Sequence, residues 1–207
     1  MTLRSLHQYL TRRLLAVIVP LLVAVGGIVG GYAGRGEVAE SDAKAALAAS
    51  RAKERILMTL QTVAEVPRVL ATLVAEHPPE ERRLRRMLIR ALQVNPDIYG
   101  MALAAEPGGL YPDRNEYCLY AFRQGGSIRF RRLDSPTYRY LRQPWYQRPR
   151  KLRRAVWSEP YFDAGGGEAL MSTYSVPLVS RTGRFLGVAT ADVTLEALKG
   201  IVETVAV

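Results

Sequence analysis

Residues 138–163 read Y-R-Y-L-R-Q-P-W-Y-Q-R-P-R-K-L-R-R-A-V-W-S-E-P-Y-F-D. Four Tyr, two Trp and one Phe stand among seven Arg/Lys and three Pro, with only Glu159 and Asp163 as acids. Aromatic rings near isolated charges can enclose a small molecule: rings supply apolar contact and cation–π attraction, and charged groups fix orientation. Three prolines block a continuous helix, since each lacks a backbone N–H and restrains the residue before it. The stretch therefore reads as a folded-over loop with a short helical piece. Rings in such a loop can equally be core filler beneath a surface crossing.

The elements on either side must position that loop. Glu37 to Glu76 is Ala-rich, with Leu47, Ile56, Leu57, Leu60, Val63, Val66, Val69, Leu70, Leu73 and Val74 recurring at helical spacing, and reads as a long stalk that Pro67 kinks or splits. It could pair with a second copy as a coiled coil, although its heptads are irregular. Glu80 to Gln93 reads as a second helix, its arginines forming a solvated face. The period then changes. Strands are expected at Ile98–Ala105, Tyr117–Arg123, Ser127–Leu133, Ala169–Val179 and Phe185–Val193, with a Gly125-Gly126 hairpin and a final helix at Leu195–Val205. Gly187 reads as a bulge or a close approach. The expected fold is α+β: a five-stranded antiparallel sheet with helices on one face.

An apolar run sets the compartment. Leu14 to Gly34 holds 21 consecutive uncharged residues, long enough as a helix for the ~30 Å hydrocarbon core. Arg4, Arg12 and Arg13 precede it and all 19 acids follow it. The positive-inside rule puts residues 1–13 in the cytoplasm and the rest outside, on a single-pass anchor in the inner membrane. A cleaved signal peptide is the alternative, with an unusually long apolar region.

Charge and composition exclude several classes. The formal charge is +10, and Arg supplies 25 of 29 basic residues. Between Arg123 and Arg154 eleven Arg/Lys face one acid, Asp134, a pattern that single-strand nucleic-acid binders use, but export argues against that partner. One cysteine, Cys118, rules out an intrachain disulfide and reads as a packed thiol. Two distant histidines leave no metal-ligand spacing. No G-x-S-x-G or H-E-x-x-H is present, and no histidine falls in the sheet region, so the chain reads as a non-enzyme. Gly165 to Gly167 lack the lysine of a phosphate loop and read as a turn, leaving no cofactor motif.

The order of W-Y-Q-R-P-R (Trp145–Arg150), V-W-S-E-P-Y-F-D (Val156–Asp163), the three glycines, S-T-Y-S-V-P (Ser172–Pro177) and G-V-A-T-A-D-V (Gly187–Val193) resembles the Cache, or PDC, family. These are extracytoplasmic PAS-like sensor domains of bacterial receptors. The blend looks closest to the sensor halves of membrane-bound SpoIIE-like serine phosphatases and histidine kinases. The resemblance implies a PAS-like domain over residues 94–205, behind stalk and packing helices over 35–93. It also implies a small polar ligand between sheet and crossing loop, and a signal passed through the membrane. In double-Cache receptors two such modules precede a second span and an output domain. The chain ends where the first module would, so it is expected to be a truncated receptor. An anchored structural domain without a ligand is the second reading.

Amino-acid-sensing members carry R-x-W-Y-x-D, then Y-x-D and a later Asp, the Arg holding a carboxylate and the acids an ammonium. Here Gln143 stands at the Arg position and Arg148 at the first Asp, while Tyr161, Asp163 and Asp192 match. The resemblance thus proposes Tyr138, Trp145, Tyr146, Arg148, Tyr161, Asp163 and Asp192 as ligand contacts. Asp163 and Asp192 suit an amine and Arg148 suits a carboxylate; the sequence leaves both open. Asp192 could instead be a structural acid of the last hairpin.

Overall fold

The computed structural model describes residues 37–205. The apolar run at residues 14–34, with the span and orientation expected of it, lies outside the described residues.

Helix α1 runs unbroken from Glu37 to Glu76, through Pro67. Ile56, Leu60, Val63, Ala64, Leu70, Ala71 and Val74 are buried, one stripe at three- and four-residue spacing. Asp42–Glu76 is long and apolar enough, by length and composition, to cross a membrane. The buried stripe from Ile56 onward accounts for much of that apolarity. The sheet lies in the compact unit Ile56–Gly200; the beginning of α1 belongs to a second unit.

Helix α2 spans Glu81–Val94 and buries Leu84, Leu88 and Leu92 completely. Each such leucine stabilises the fold by roughly 1.5–3 kcal/mol. Strands β1 (Gly100–Ala105), β2 (Tyr117–Gln124) and β3 (Ser127–Arg132) follow. Gly125 and Gly126 join the last two with φ of +56° and +75°, the signature of a type I′ turn. Two long strands close the chain's sheet, β6 (Leu170–Val179) and β7 (Phe185–Thr194), before helix α4 (Leu195–Val205). All pairings are antiparallel.

The sheet has seven strands rather than five. The extra pair, β4 (Val156–Trp157) and β5 (Tyr161–Phe162), lies inside the aromatic crossing and pairs with β6. Two-residue strands carry no readable alternation, and Pro160 separates them. The main path is β3-β2-β1-β7-β6-β4, so the termini of the sheet sequence meet at its centre, where β1 pairs with β7. Gly187 is a close approach as well as a bulge neighbour: a Cβ there would lie 2.2 Å from the Ala104 carbonyl oxygen.

The two faces are covered differently. On one, Arg68 of α1 donates to the Tyr174 hydroxyl and stacks over its ring, and α2 packs on β1 and β2. The other face carries Ala102, Ala104, Cys118, Tyr120, Phe122 and Val188, roofed by Tyr138, Tyr140, Trp145 and Tyr146. Helices therefore occupy both faces, not one: the crossing contributes helix α3 (Pro144–Leu152), started by Pro144 and carrying Pro149 inside.

Candidate functional site

Beneath this roof the sheet brings two acids together. Asp192 sits in β7 opposite Thr173 of β6 and Gly100 of β1. Its Oδ2 accepts a hydrogen bond from the Tyr120 hydroxyl at 2.8 Å, and Thr173 stands beside it as its cross-strand partner. Thr173 in turn meets the Tyr161 hydroxyl at 2.8 Å. Gly100 makes room for this arrangement, because a Cβ there would stand 2.2 Å from the Tyr120 hydroxyl.

Asp163 directly follows β5 and is buried. Its Oδ1 accepts the Tyr138 hydroxyl, which itself accepts the Trp145 indole N–H at 3.1 Å. Its Oδ2 accepts the Gly167 N–H at 2.6 Å. Gly167 links the two acids: a Cβ on it would be 2.9 Å from the same Tyr120 hydroxyl that bonds Asp192. Tyr99 closes the group by donating to the Gly167 carbonyl at 2.6 Å.

Both carboxylates are buried, with Asp163 5% and Asp192 3% exposed. Burial pushes Asp192 up to about 7, and the neighbouring charge of Asp163 adds to the rise. Burial also raises Asp163, against the hydrogen bonds from Tyr138 and Gly167 that favour its ionised form. Tyr138 and Tyr161 are held protonated, first by burial and then by these acids. The hydrogen bonds to the two carboxylates among the described residues come from hydroxyls and one backbone N–H. Among the described residues neither acid forms an ion pair, and the Arg131 guanidinium acts on Asp163 only as a smaller, through-space charge, so the pair can accept an incoming cation.

Trp145 and Tyr138 thus reach Asp163 through hydrogen bonds, and Tyr161 meets Thr173, the cross-strand neighbour of Asp192, beneath the same roof. Tyr146 does not reach the acids. It is fully buried, and its hydroxyl donates to Glu106 Oε2 at 2.5 Å, at the far end of the roof. Arg148 lies exposed on α3. Helical spacing turns Trp145 and Pro149 inward and leaves Arg148 among the outward residues. Gln143 donates to the Tyr138 carbonyl at 2.9 Å, bracing the loop rather than facing the acids. Among the described residues no group of three His, Cys, Asp or Glu is placed to hold a metal ion.

Residues 84–200, more than half of the chain, match the family described as methyl-accepting chemotaxis protein-like, first PDC sensor domain. The chain belongs to this family. Its PDC fold resembles the extracellular domain of the putative histidine kinase soHK1S-Z6, 24% identical with a TM-score of 0.66 over 74% of this chain and 60% of that one. It also resembles the ligand-binding domain of the Pseudomonas aeruginosa PAO1 amino acid chemoreceptor PctC in complex with GABA, at 24% identity and a TM-score of 0.51 over 76% and 63%. A third likeness is to the Campylobacter jejuni chemoreceptor Tlp3 in complex with L-valine, at 18% identity and a TM-score of 0.56 over 73% and 58%. The chain thus spans about three-fifths of the length of these sensor structures. No curated protein sequence matches it.

Three residues bonded around the two acids carry no signal in the motif order: Tyr99, Tyr120 and Thr173. The alternation of Tyr117–Phe122 puts Tyr120 on the same face as Cys118 and Phe122, and that signal was available. What local sequence does not carry is the register of β1 on both β2 and β7, which sets Tyr120 against Asp192. Ser175, two residues from Thr173 on the same face, has a buried hydroxyl with no hydrogen-bond partner.

Proposed function

We propose that this PDC domain is the extracytoplasmic, membrane-anchored input module of a bacterial receptor, and that it binds a small metabolite through an ammonium group held by Asp163 and Asp192. One observation carries the reading: two adjacent buried carboxylates, walled by phenols and an indole, are hydrogen-bonded by neutral groups alone. A buried carboxylate without a cation is costly, and an ammonium entering between two of them relieves both. The ligands named for the PctC and Tlp3 structures, GABA and L-valine, both bear an ammonium group. The carboxylate reading, which relied on Arg148, loses support because that side chain lies on the outer surface of α3.

Three compounds of one carbon skeleton test this. L-Valine has both charged groups, isobutylamine keeps only the ammonium, and 3-methylbutanoate keeps only the carboxylate. With the full chain in detergent micelles, isobutylamine is expected to raise the melting temperature at pH 8 and 3-methylbutanoate to leave it unchanged. Stabilisation by 3-methylbutanoate without any by isobutylamine would overturn the assignment.

A further inference from the structure

The peptide bond between Gly166 and Gly167 satisfies two groups of opposite charge at once. Its N–H donates to Asp163 Oδ2 at 2.6 Å, and its carbonyl oxygen accepts from the Arg131 guanidinium. We propose that this peptide is an internal pseudo-ligand, and that a true ligand displaces it, placing its ammonium on Asp163 and a carboxylate on Arg131. The proposal rests on the ammonium reading above and adds to it a second subsite on a strand outside the crossing loop.

The segment is a hydrogen-bonded turn, and its tip is aimed at side chains rather than at solvent. A Cβ on Gly166 would fall 2.1 Å from Asp163 Oδ2, and one on Gly167 would fall 2.5 Å from Met171 Cε and 3.1 Å from Tyr99 Cε1. Only a bare main chain fits among these side chains, so the loop fills the space facing the acids. Arg131 pairs with Tyr120 across β2 and β3, and so projects from the same sheet face. It lies over the Phe122 ring and 3.6 Å from Glu168. Glu168, at the end of the loop, is half exposed and holds a left-handed φ of +54°, an uncomfortable backbone for a side-chain-bearing residue. The loop is closed at its base by backbone bonds, from the Gly166 and Glu168 N–H groups to the Asp163 carbonyl and from the Asp163 N–H to the Ala169 carbonyl. Its tip is held by the Tyr99 and Arg131 bonds, the Gly167 bond to Asp163, and the Gly165 N–H on Glu168. The carbonyl and N–H of this one peptide resemble the carboxylate and ammonium of an amino acid, whose full charges bond more strongly than the neutral peptide. Gln143 removes the guanidinium from its expected position; Arg131 supplies one from the opposite edge of the sheet.

Calorimetry of the full chain in detergent, with L-valine and isobutylamine, tests both halves. Wild type is expected to bind L-valine about tenfold more tightly than isobutylamine, and Arg131→Gln to erase that ratio while leaving isobutylamine binding in place. Tyr99→Phe, which removes one anchor of the loop, is expected to tighten both ligands by the same factor, because a larger fraction of molecules has the loop displaced. A valine preference unchanged in Arg131→Gln overturns the Arg131 subsite. Weaker binding of both ligands to Tyr99→Phe overturns displacement, since the loop would then be part of the bound state. Either result leaves the ammonium reading standing. Failure of both ligands to bind wild type and both variants overturns the ammonium reading, and the pseudo-ligand with it.

Discussion

The adjacent residues Trp145 and Tyr146 point to two acids with opposite circumstances. Tyr146 donates to Glu106, whose carboxylate also takes Arg150 through Nε at 3.0 Å and Nη2 at 2.5 Å. Burial pushes Glu106 up, but the bonds from Arg150 and Tyr146 outweigh it and hold the carboxyl below its usual range. Trp145 leads through Tyr138 to Asp163, and from there to Asp192, where burial wins and both acids are raised. The first acid ties the roof to the end of β1 and is complete. The second pair is left short of a cation. Within one aromatic roof, compensation by a neighbouring guanidinium separates an acid that holds the fold from acids free to hold a ligand.

The widest gap between the two regions should be in binding. Asp192→Asn keeps the shape and the hydrogen-bonding oxygen but removes the charge, so isobutylamine affinity is expected to fall about a hundredfold. Arg150→Ala should leave that affinity unchanged. Titration calorimetry on both variants checks the contrast; equal losses would erase it.

Stability against pH should separate them next. Asp192 is raised in the folded state above its ordinary unfolded value, so it binds its proton more tightly when folded. Its contribution is fully present below about pH 4 and is lost as pH rises through about 7. Thermal melts of Asp192→Asn should therefore show a flatter decline between pH 5 and pH 8 than wild type. Glu106 has the opposite sign: its lowered value stabilises at neutral pH, and that gain is lost on acidification. Arg150→Ala should lower stability by about 1 kcal/mol at pH 7, the smallest effect of the set, because that arginine is half exposed. A steeper decline in Asp192→Asn than in wild type would reverse the assignment.

Much of the frame is legible in the residues themselves. The ends of α1 and α4, the glycine hairpin and the crowding at Gly187 follow from periodicity and from positions where only glycine fits. The crossing is legible as a kind, a proline-broken roof with one helix, but not in detail. Its two short strands fall below any readable period, and the turn of α3 that exposes Arg148 depends on where the helix starts. The acids at Asp163 and Asp192 come from motif order. Their phenolic partners come from the placing of β2 and β7 on either side of β1, which brings Tyr120 to Asp192 across 72 residues of sequence. Arg131 escaped notice because it stands in a strongly basic segment, where nothing local distinguishes it from Arg129 or Arg132.

Calorimetry of isobutylamine binding at pH 7, repeated in two buffers of different ionisation enthalpy, reads the central claim directly. An ammonium that settles between Asp163 and Asp192 must ionise the Asp192 carboxyl, raised to about 7 in the free protein. Binding should therefore release about half a proton per molecule, and Asp192→Asn should release none. Binding heats that are identical in both buffers would show that the amine does not meet this acid, and would contradict the account.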